Sequence, residues 1–220
     1  MKRVVLVGDS TRLRYQPYVE HMLASAALEV SGPTENCETS RRIRENLGPW
    51  VIDRSPDVVH LNCGLHDLRY DPGSDRPQVS LEEYAENLDH ILATLMADAI
   101  SVVWATSTPV NERRHQAGRH SRRYEADVIA YNELSRSVAS RYGIPCNDLY
   151  QAVEDQGGDA VLGADGVHLT DAGYEFLGRH VARAIRLALD RSAALMEISC
   201  RIPKRPTTTT PSESACAREQ

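Results

Sequence analysis

A short apolar segment near the start of the chain stops at a glycine, and two polar residues follow at once, in the sequence VVLVGDS at positions 4–10. A β-branched apolar run of this length is typical of a buried strand in a parallel sheet. Gly8 permits a sharp turn after the strand. Ser10 then follows the carboxyl end of that strand, where open α/β sheets bind their ligands. Ser10 is therefore a candidate nucleophile, provided that a base lies close enough to remove its proton.

Further apolar segments alternate with helical patterns along the chain. We predict strands at residues 3–8, 28–31, 57–62, 100–106 and 144–147. We predict helices at residues 17–28, 40–52, 81–97, 122–142 and 170–190, and a polar loop at 107–121. Strands that alternate with helices of these lengths imply βαβ units and a five-stranded parallel sheet.

The predicted helix ends depend on a few residues. Pro17 suits the first turn of a helix, and Ser40 is expected to cap the second. Ser80 and Glu83 form a capping box. Gly143 is expected to end the fourth helix, and Thr170 to start the last.

The length of 220 residues suits one α/β domain with a sizeable core. We place this domain at residues 1–192. From Arg201 onwards the composition changes to Pro, Thr, Ser and Glu. Such a segment cannot bury enough apolar area to fold, so we expect residues 193–220 to be a disordered tail.

The composition argues against two classes of partner. A formal net charge of -6 is unfavourable for a general nucleic-acid binder, and 2 Trp, 9 Tyr and 1 Phe offer few platforms for base stacking. No apolar run is long enough to span a membrane. The sequence carries no signal for an oligomeric state.

The compartment can be predicted from the start of the chain and from its cysteines. A strand that begins at residue 3 leaves no room for a signal peptide. The 5 cysteines show no framework spacing, which is typical of free thiols in a reducing compartment. We therefore expect a cytoplasmic protein.

A second motif, Asp165-Gly166-Val167-His168-Leu169-Thr170, lies just before the last predicted helix. Together with Gly8-Asp9-Ser10 after the first strand, and in this order, it resembles the SGNH (GDSL) hydrolase family over residues 3–190. The resemblance implies a three-layer α/β/α sandwich of flavodoxin-like type. It also implies that the chain is an esterase, a lipase or an acetylesterase.

The same resemblance implies a catalytic triad of Ser10, His168 and Asp165. His168 would take the proton of Ser10 and later give it to the leaving alcohol. Asp165 would hold the imidazole in the required tautomer. Asp9 is better interpreted as a turn residue whose side chain binds nearby backbone amides than as a catalytic group.

The sequence departs from the family pattern at the oxyanion hole, which usually combines the Ser amide, a Gly amide and an Asn side chain. Cys37 stands where the Gly is expected, and its amide survives the change if the local φ stays negative. His66 stands where the Asn is expected, and an imidazole can donate a hydrogen bond. We therefore expect donors at Ser10, Cys37 and His66. Asn62 is an alternative side-chain donor, and a histidine that merely lines the loop is an alternative for His66.

Two other features admit more than one interpretation. His60, Cys63 and His66 are zinc-ligand types, but strand alternation places His60 away from the others, so we predict no metal site and a buried Cys63. Residues 112–123 contain five arginines and one glutamate. This segment is either a solvated loop with the first turn of a helix, or a lid or selector for an anionic substrate.

The predicted function is therefore a serine hydrolase that cleaves an ester with a small or carbohydrate-linked acyl group. Because water completes the reaction, no cofactor is expected. One alternative is an acyltransferase with the same triad. Another is a binding protein whose altered oxyanion hole has lost turnover.

Overall fold

The computed structural model describes residues 1–118 and 120–201, with the backbone alone of Ser25 and of residues 193–201. Within these ranges one parallel sheet has the strand order β2-β1-β3-β4-β5. Its strands are β1 (Lys2–Val7), β2 (Leu28–Ser31), β3 (Val58–Leu61), β4 (Ser101–Ala105) and β5 (Cys146–Asn147). The predicted α/β fold with a five-stranded parallel sheet is confirmed.

Eight α-helices connect and flank the strands in the described part of the chain. They are α1 (Ser10–Leu23), α2 (Ser40–Glu45), α3 (Leu47–Trp50), α4 (Leu81–Ala97), α5 (Glu112–Gly118), α6 (Glu125–Arg141), α7 (Leu149–Asp155) and α8 (Asp171–Arg201). Helices α1 and α8 pack against each other, as do α2 with α4 and α4 with α6.

The two faces of β1 belong to two separate cores, which gives the three layers. Val5 and Val7 pack into the core that contains residues of α2, α4 and α6. Val4 and Leu6 pack into the core that contains residues of α1 and α8. A parallel strand that is covered on both faces has a continuous apolar sequence, and β1 has one.

Helix α1 begins seven residues earlier than predicted, at Ser10 instead of Pro17. The Asp9 side chain accepts a hydrogen bond from the Thr11 amide at 2.9 Å and so caps the helix directly after the strand. Pro17 lies inside the helix, where a proline lacks the backbone donor of its turn. The prediction that Asp9 binds nearby backbone amides is confirmed.

The helix predicted at residues 40–52 is interrupted and is capped by Thr39, whose side chain accepts from the Arg42 amide at 3.3 Å. Asn46 separates α2 from α3, and its side chain donates to the Arg42 carbonyl at 2.8 Å. Pro49 also lacks the donor that a continuous helix would direct at Glu45. The prediction that Ser40 is the cap is therefore wrong.

The predicted loop at 107–121 contains α5, and α6 starts at Glu125 instead of Arg122. The backbone of Arg122 pairs with that of Tyr70 in an antiparallel bridge, so it cannot join the helix. Helix α7 was not predicted, although Asp148 caps it by accepting from the Gln151 amide at 3.1 Å.

Three other predicted helix ends are confirmed by their hydrogen bonds. Ser80 accepts from the Glu83 amide at 3.2 Å, and Thr170 accepts from the Gly173 amide at 3.2 Å. Gly143, at φ 66°, ends α6 and donates to the Ser140 carbonyl at 3.0 Å. These local signals depend on short-range contacts, which the sequence specifies directly.

Helix α8 continues to Arg201, beyond the end predicted near Asp190, because residues 191–201 contain neither Pro nor Gly. Of the predicted tail, residues 193–201 continue this helix and residues 202–220 lie outside the described residues. None of the described helices is both long enough and apolar enough to cross a membrane.

Candidate active site

Ser10 occupies the first position of α1, immediately beyond the carboxyl end of β1. The close approach of helix and strand requires a glycine at position 8, because a Cβ there would lie 2.8 Å from the Cβ of Arg12. The first amides of a helix have no partner within the helix, so the Ser10 amide lies at a donor-rich, electropositive end.

Ser10, His168 and Asp165 form a continuous chain of hydrogen bonds. The Ser10 Oγ lies 2.9 Å from the His168 Nε2. The His168 Nδ1 lies 2.6 Å from the Asp165 Oδ2. When Nδ1 carries the proton and donates it to the carboxylate, Nε2 is left to accept from the serine hydroxyl.

The loop before α8 holds Asp165 through its second oxygen. Its Oδ1 accepts from the amides of Val167, at 3.1 Å, and His168, at 3.0 Å. Burial raises the pKa of Asp165, but the hydrogen bonds from the His168 ring and from the two amides outweigh it. The net pKa lies well below the usual range, so the carboxylate is ionised wherever the triad would operate.

A cavity of about 290 Å³ opens in front of Ser10 and His168. His66 lines this cavity from the segment after β3. Burial lowers the pKa of His66, and the neighbouring Arg123 and Arg69 lower it further, whereas Asp9 raises it. The ring is therefore neutral near pH 7 and carries one N–H that can donate.

Asp67, the residue after His66, ties this segment to α2. Its Oδ1 accepts from the Ser40 amide at 2.8 Å and from the Ser40 hydroxyl at 2.5 Å. Its Oδ2 is buried and has no hydrogen-bond partner among the described residues. Burial raises the pKa of Asp67 to about 7.

Cys37 lies beside the site but does not reach the cavity. Its amide donates to the Gly8 carbonyl at 3.2 Å, and its fully buried side chain packs into the core. The expectation that this amide faces the oxyanion is corrected, because the peptide N–H is directed at the strand end instead. Asn36, the preceding residue, lines the cavity.

Asn62, the residue after β3, is not among the residues that line the cavity, and its backbone amide donates to the Val7 carbonyl at 3.0 Å. Its side-chain amide donates to the Ala105 carbonyl at 2.9 Å, which joins the ends of β3 and β4. The alternative donor considered from the sequence is thus directed at the backbone.

The residues considered as zinc ligands are spread over different parts of the fold. His60 lies between Tyr15, at 3.5 Å, and Asn147, at 3.1 Å, and burial lowers its pKa to about 3. Cys63 belongs to the core on the other side of the sheet. Among the described residues no group of three or more His, Cys, Asp or Glu could hold a metal ion.

The arginine-rich segment is mostly tied into the surface. Arg113 is exposed on α5, Arg114 donates to the Asp159 carbonyl at 3.0 Å, and Arg122 lies over the ring of Tyr70. Arg119 lies outside the described residues. Arg123 alone of these four described arginines lines the cavity.

Six residues that line the cavity were not named as site residues from the sequence: Asn36, Leu65, Arg69, His115, Ser121 and Val167. Arg69 follows His66 by one helical turn of sequence, which is the signal that could have identified it. His115 and Ser121 belong to the segment at residues 112–123, for which the sequence allowed either a solvated loop or a lid or selector at the site.

Comparison with known proteins identifies the family and agrees with the fold. Residues 6–176 match the GDSL-like lipase/acylhydrolase family. A human protein described as isoamyl acetate-hydrolyzing esterase 1 homolog is 28% identical over 134 residues, or 57% of this chain. The match covers 54% of that relative, so the chain spans about half of its length.

Two solved structures share the fold. A lipase/acylhydrolase from Enterococcus faecalis is 23% identical, with a TM-score of 0.72 over 84% of this chain and 95% of that one. A catalytic mutant of an acetylxylan esterase from Geobacillus stearothermophilus is 19% identical, with a TM-score of 0.70 over 84% and 94%. At these identities the likeness concerns the fold. Because the family match extends over most of the chain and contains Ser10, Asp165 and His168, the chain belongs to the GDSL-like lipase/acylhydrolase family.

Proposed function

We propose that this chain is a serine hydrolase that cleaves an ester through an acyl-enzyme, with Ser10 as nucleophile, His168 as general base and acid, and Asp165 as its partner. The observation that carries the proposal is the unbroken relay from Ser10 through His168 to Asp165, with links of 2.9 and 2.6 Å. Membership of the acylhydrolase family supports the same reaction class.

In this mechanism His168 takes the Ser10 proton as Oγ attacks the ester carbonyl. The imidazolium is stabilised by Asp165 and then gives its proton to the leaving alcohol. A water molecule attacks the acyl-enzyme with the same proton transfers and releases the acid. Every transferred proton thus passes through the His168 Nε2, and the chemistry needs no cofactor.

The oxyanion that forms on the ester carbonyl needs donors beside Ser10. The Ser10 amide at the start of α1 is one, because it has no partner within the helix. We assign the second to the neutral His66 ring, which lines the same cavity. Cys37 is not included, since its amide already donates to Gly8.

The substrate we propose is an ester with a small acyl group or an acyl group linked to carbohydrate. The cavity of about 290 Å³ supports a small ligand, because it is at the lower end of the ~300–1,000 Å³ typical of ligand pockets. The names of the relatives, an isoamyl acetate-hydrolyzing esterase homolog and an acetylxylan esterase, point to short acyl groups.

The cytoplasm is the compartment that we propose for this reaction. Among the described residues Cys37, Cys63 and Cys146 are free thiols. Free cysteines are common in reducing compartments and uncommon in secreted domains of similar size.

The direct test is covalent labelling of Ser10 with a fluorophosphonate, combined with hydrolysis of para-nitrophenyl acetate. We expect Ser10→Ala to abolish labelling and to lower kcat by roughly 10⁶ while the fold is retained. Ser137→Ala, on the exposed face of α6, is the matched control and should behave like the wild type. If Ser10→Ala kept more than about a tenth of the activity, the assignment of the nucleophile would be wrong.

A further inference from the structure

One wall of the active-site cavity is built by two chain segments that carry arginine. Arg69 comes from the segment after β3, and Arg123 from the residues just before α6. Guanidinium groups remain charged throughout the accessible pH range. Among the residues of these two segments that line the cavity there is no Asp or Glu.

The carboxylates that do line the cavity belong to other segments, and both have hydrogen-bond partners. Asp9 accepts from the Thr11 amide at the start of α1. Asp165 accepts from the His168 ring and from two amides of its own loop. The arginine wall and these two carboxylates therefore come from different segments of the chain.

Arg123 is held in place within that wall. It is only 7% exposed, its Nε donates to the Leu65 carbonyl at 2.6 Å, and its Nη1 lies 3.1 Å from the His115 Nε2. A fixed charge at a poorly hydrated surface interacts more strongly with a ligand than the same charge in bulk water.

Arg69 is also oriented, by a residue that does not line the cavity. Its Nε and Nη2 both lie 3.0 Å from the Asp71 Oδ1, and the Asp71 Oδ2 accepts from the Gln78 Nε2 at 2.9 Å. The lowered pKa of His66, caused first by burial and then by Arg123 and Arg69, agrees with both guanidinium groups lying close to this ring.

We propose that the arginine wall binds an anionic group of the ester substrate, with a carboxylate as the ligand chemistry and Arg123 and Arg69 as the specificity-determining residues. The inference rests on the proposed function, since it concerns the same cavity. The planar fork of an arginine matches the two oxygens of a carboxylate. The small cavity limits the distance between this anion and the ester carbonyl to a short linker.

The carboxylate could belong to the acyl part or to the alcohol part, so the test has two arms. The first compares mono-para-nitrophenyl glutarate with its methyl ester, in which the acyl-side charge is blocked. The second compares para-carboxyphenyl acetate with its methyl ester, in which the alcohol-side charge is blocked. We expect kcat/KM of the anionic ester to exceed that of its neutral match by roughly tenfold or more in one arm.

The variants are judged by the ratio of anionic to neutral kcat/KM, which cancels any general loss of activity. Arg123→Gln and Arg69→Gln should each move this ratio towards one. Arg113→Gln removes the same charge from the exposed face of α5 and should leave the ratio unchanged. The wild-type ratio should also fall as salt rises, because ions screen the attraction.

The outcomes separate this inference from the proposed function. A wild-type ratio near one in both arms, with neutral esters still hydrolysed at Ser10, would overturn the inference alone. A ratio that both arginine variants left unchanged would do the same. If Arg123→Gln does not fold, Arg69→Gln and the salt dependence of the wild type decide. Absence of Ser10-dependent hydrolysis of all four esters would overturn the proposed function and this inference together.

Discussion

His66 stands at the position where the resemblance to the family predicts an asparagine side chain. Burial and two guanidinium neighbours keep its ring neutral, so it can donate one hydrogen bond without carrying a charge. A neutral donor stabilises the oxyanion without competing with His168 for protons. The alternatives are less well placed, because Asn62 is directed at Ala105 and Cys37 at Gly8.

Replacing His66 by alanine should lower kcat by roughly 10² to 10³ with little change in KM, because the hydrogen bond strengthens only in the transition state. His66→Asn should recover part of the loss, since an amide also donates. Steady-state kinetics on a neutral ester provide the measurement. His90→Ala, on the exposed side of α4, is the control. A kcat near that of the wild type in His66→Ala would exclude this role.

The raised pKa of Asp67 predicts that the stability of the fold depends on pH. Its pKa is raised to about 7 by burial, whereas an unfolded aspartate titrates near ~4. The folded state therefore holds a proton that the unfolded state has lost between these values. Its contribution to stability is complete below about pH 4 and is lost as the pH rises through about 7.

Asp67→Asn should remove this dependence, because an amide does not titrate. The free energy of unfolding of the wild type, measured relative to the variant by urea denaturation, should fall between about pH 4 and pH 7. The variant keeps an acceptor for Ser40 and should remain folded. A constant difference across that range would show that the carboxyl group titrates normally.

At the scale of elements, the loop before α8 holds Asp165 and His168 of the proposed triad in place. Gly166 has φ 69°, a left-handed conformation, and a Cβ there would lie 2.5 Å from the Asn111 carbonyl oxygen. Asn111 is the residue just before α5, and its amide donates to the Gly166 carbonyl at 2.7 Å. This hydrogen bond joins the loop to the start of α5. The loop therefore has little freedom to shift without moving Asp165 and His168.

Gly166→Ala should reduce both activity and melting temperature, because the added Cβ combines backbone strain with a clash. Gly73→Ala is a matched control, since Gly73 has φ 78° but nothing lies within 4 Å of an added Cβ. The control should show only the strain, about 1 to 2 kcal/mol. Thermal unfolding and kcat measured on both variants test this. Equal losses of stability and activity in Gly166→Ala and Gly73→Ala would mean that the clash with the Asn111 carbonyl costs no free energy.

The strands were predictable because their signals are local, whereas several helix ends were not. Val4 to Val7 are buried on both faces of the sheet. Their β-branched apolar sequence predicts a strand without information from other segments. Ser40 has the chemistry of a cap, but its hydroxyl is bound by Asp67, a residue 27 positions away. The sequence around Ser40 could not show that Asp67 binds the hydroxyl that would otherwise cap the helix.

The same distinction applies to the site. Ser10, Asp165 and His168 lie in two short motifs that follow a strand and precede a helix, so the sequence could suggest their meeting. The direction of the Cys37 amide depends on a peptide plane that no motif specifies. Arg123 is held at the cavity by a hydrogen bond to the Leu65 carbonyl. Leu65 lies 58 residues earlier in the chain, so only the folded chain brings the two residues together.

At the scale of the whole molecule, α1 and α8 bring the two halves of the site together. A Cβ at Gly178 of α8 would lie 2.6 Å from the Cβ of Tyr18 on α1, so the backbones approach closely. Further along, Arg186 donates to the Met22 carbonyl at 2.7 Å. The close packing of α1 and α8 thus contributes to the relative position of Ser10 and His168.

Removal of residues 202–220 should leave the melting temperature and activity nearly unchanged, because the composition of this segment offers little apolar area to pack. Thermal unfolding and ester hydrolysis of the shortened chain test this. Removal of residues 182–220 is the contrasting variant, since it deletes the buried Ile185 and Leu189 and should prevent folding. A drop of several degrees in the first variant would mean that this segment docks on the domain.

The serine and its base are 158 positions apart in the chain. A ribosome that has synthesised β1 and α1 has already produced the proposed nucleophile, whereas His168, the base that we assign to it, is made 158 residues later. In the proposed mechanism the Ser10 hydroxyl therefore has no base until His168 has been synthesised. The proposed activity is therefore expected only after the loop before α8 has folded against the start of α1.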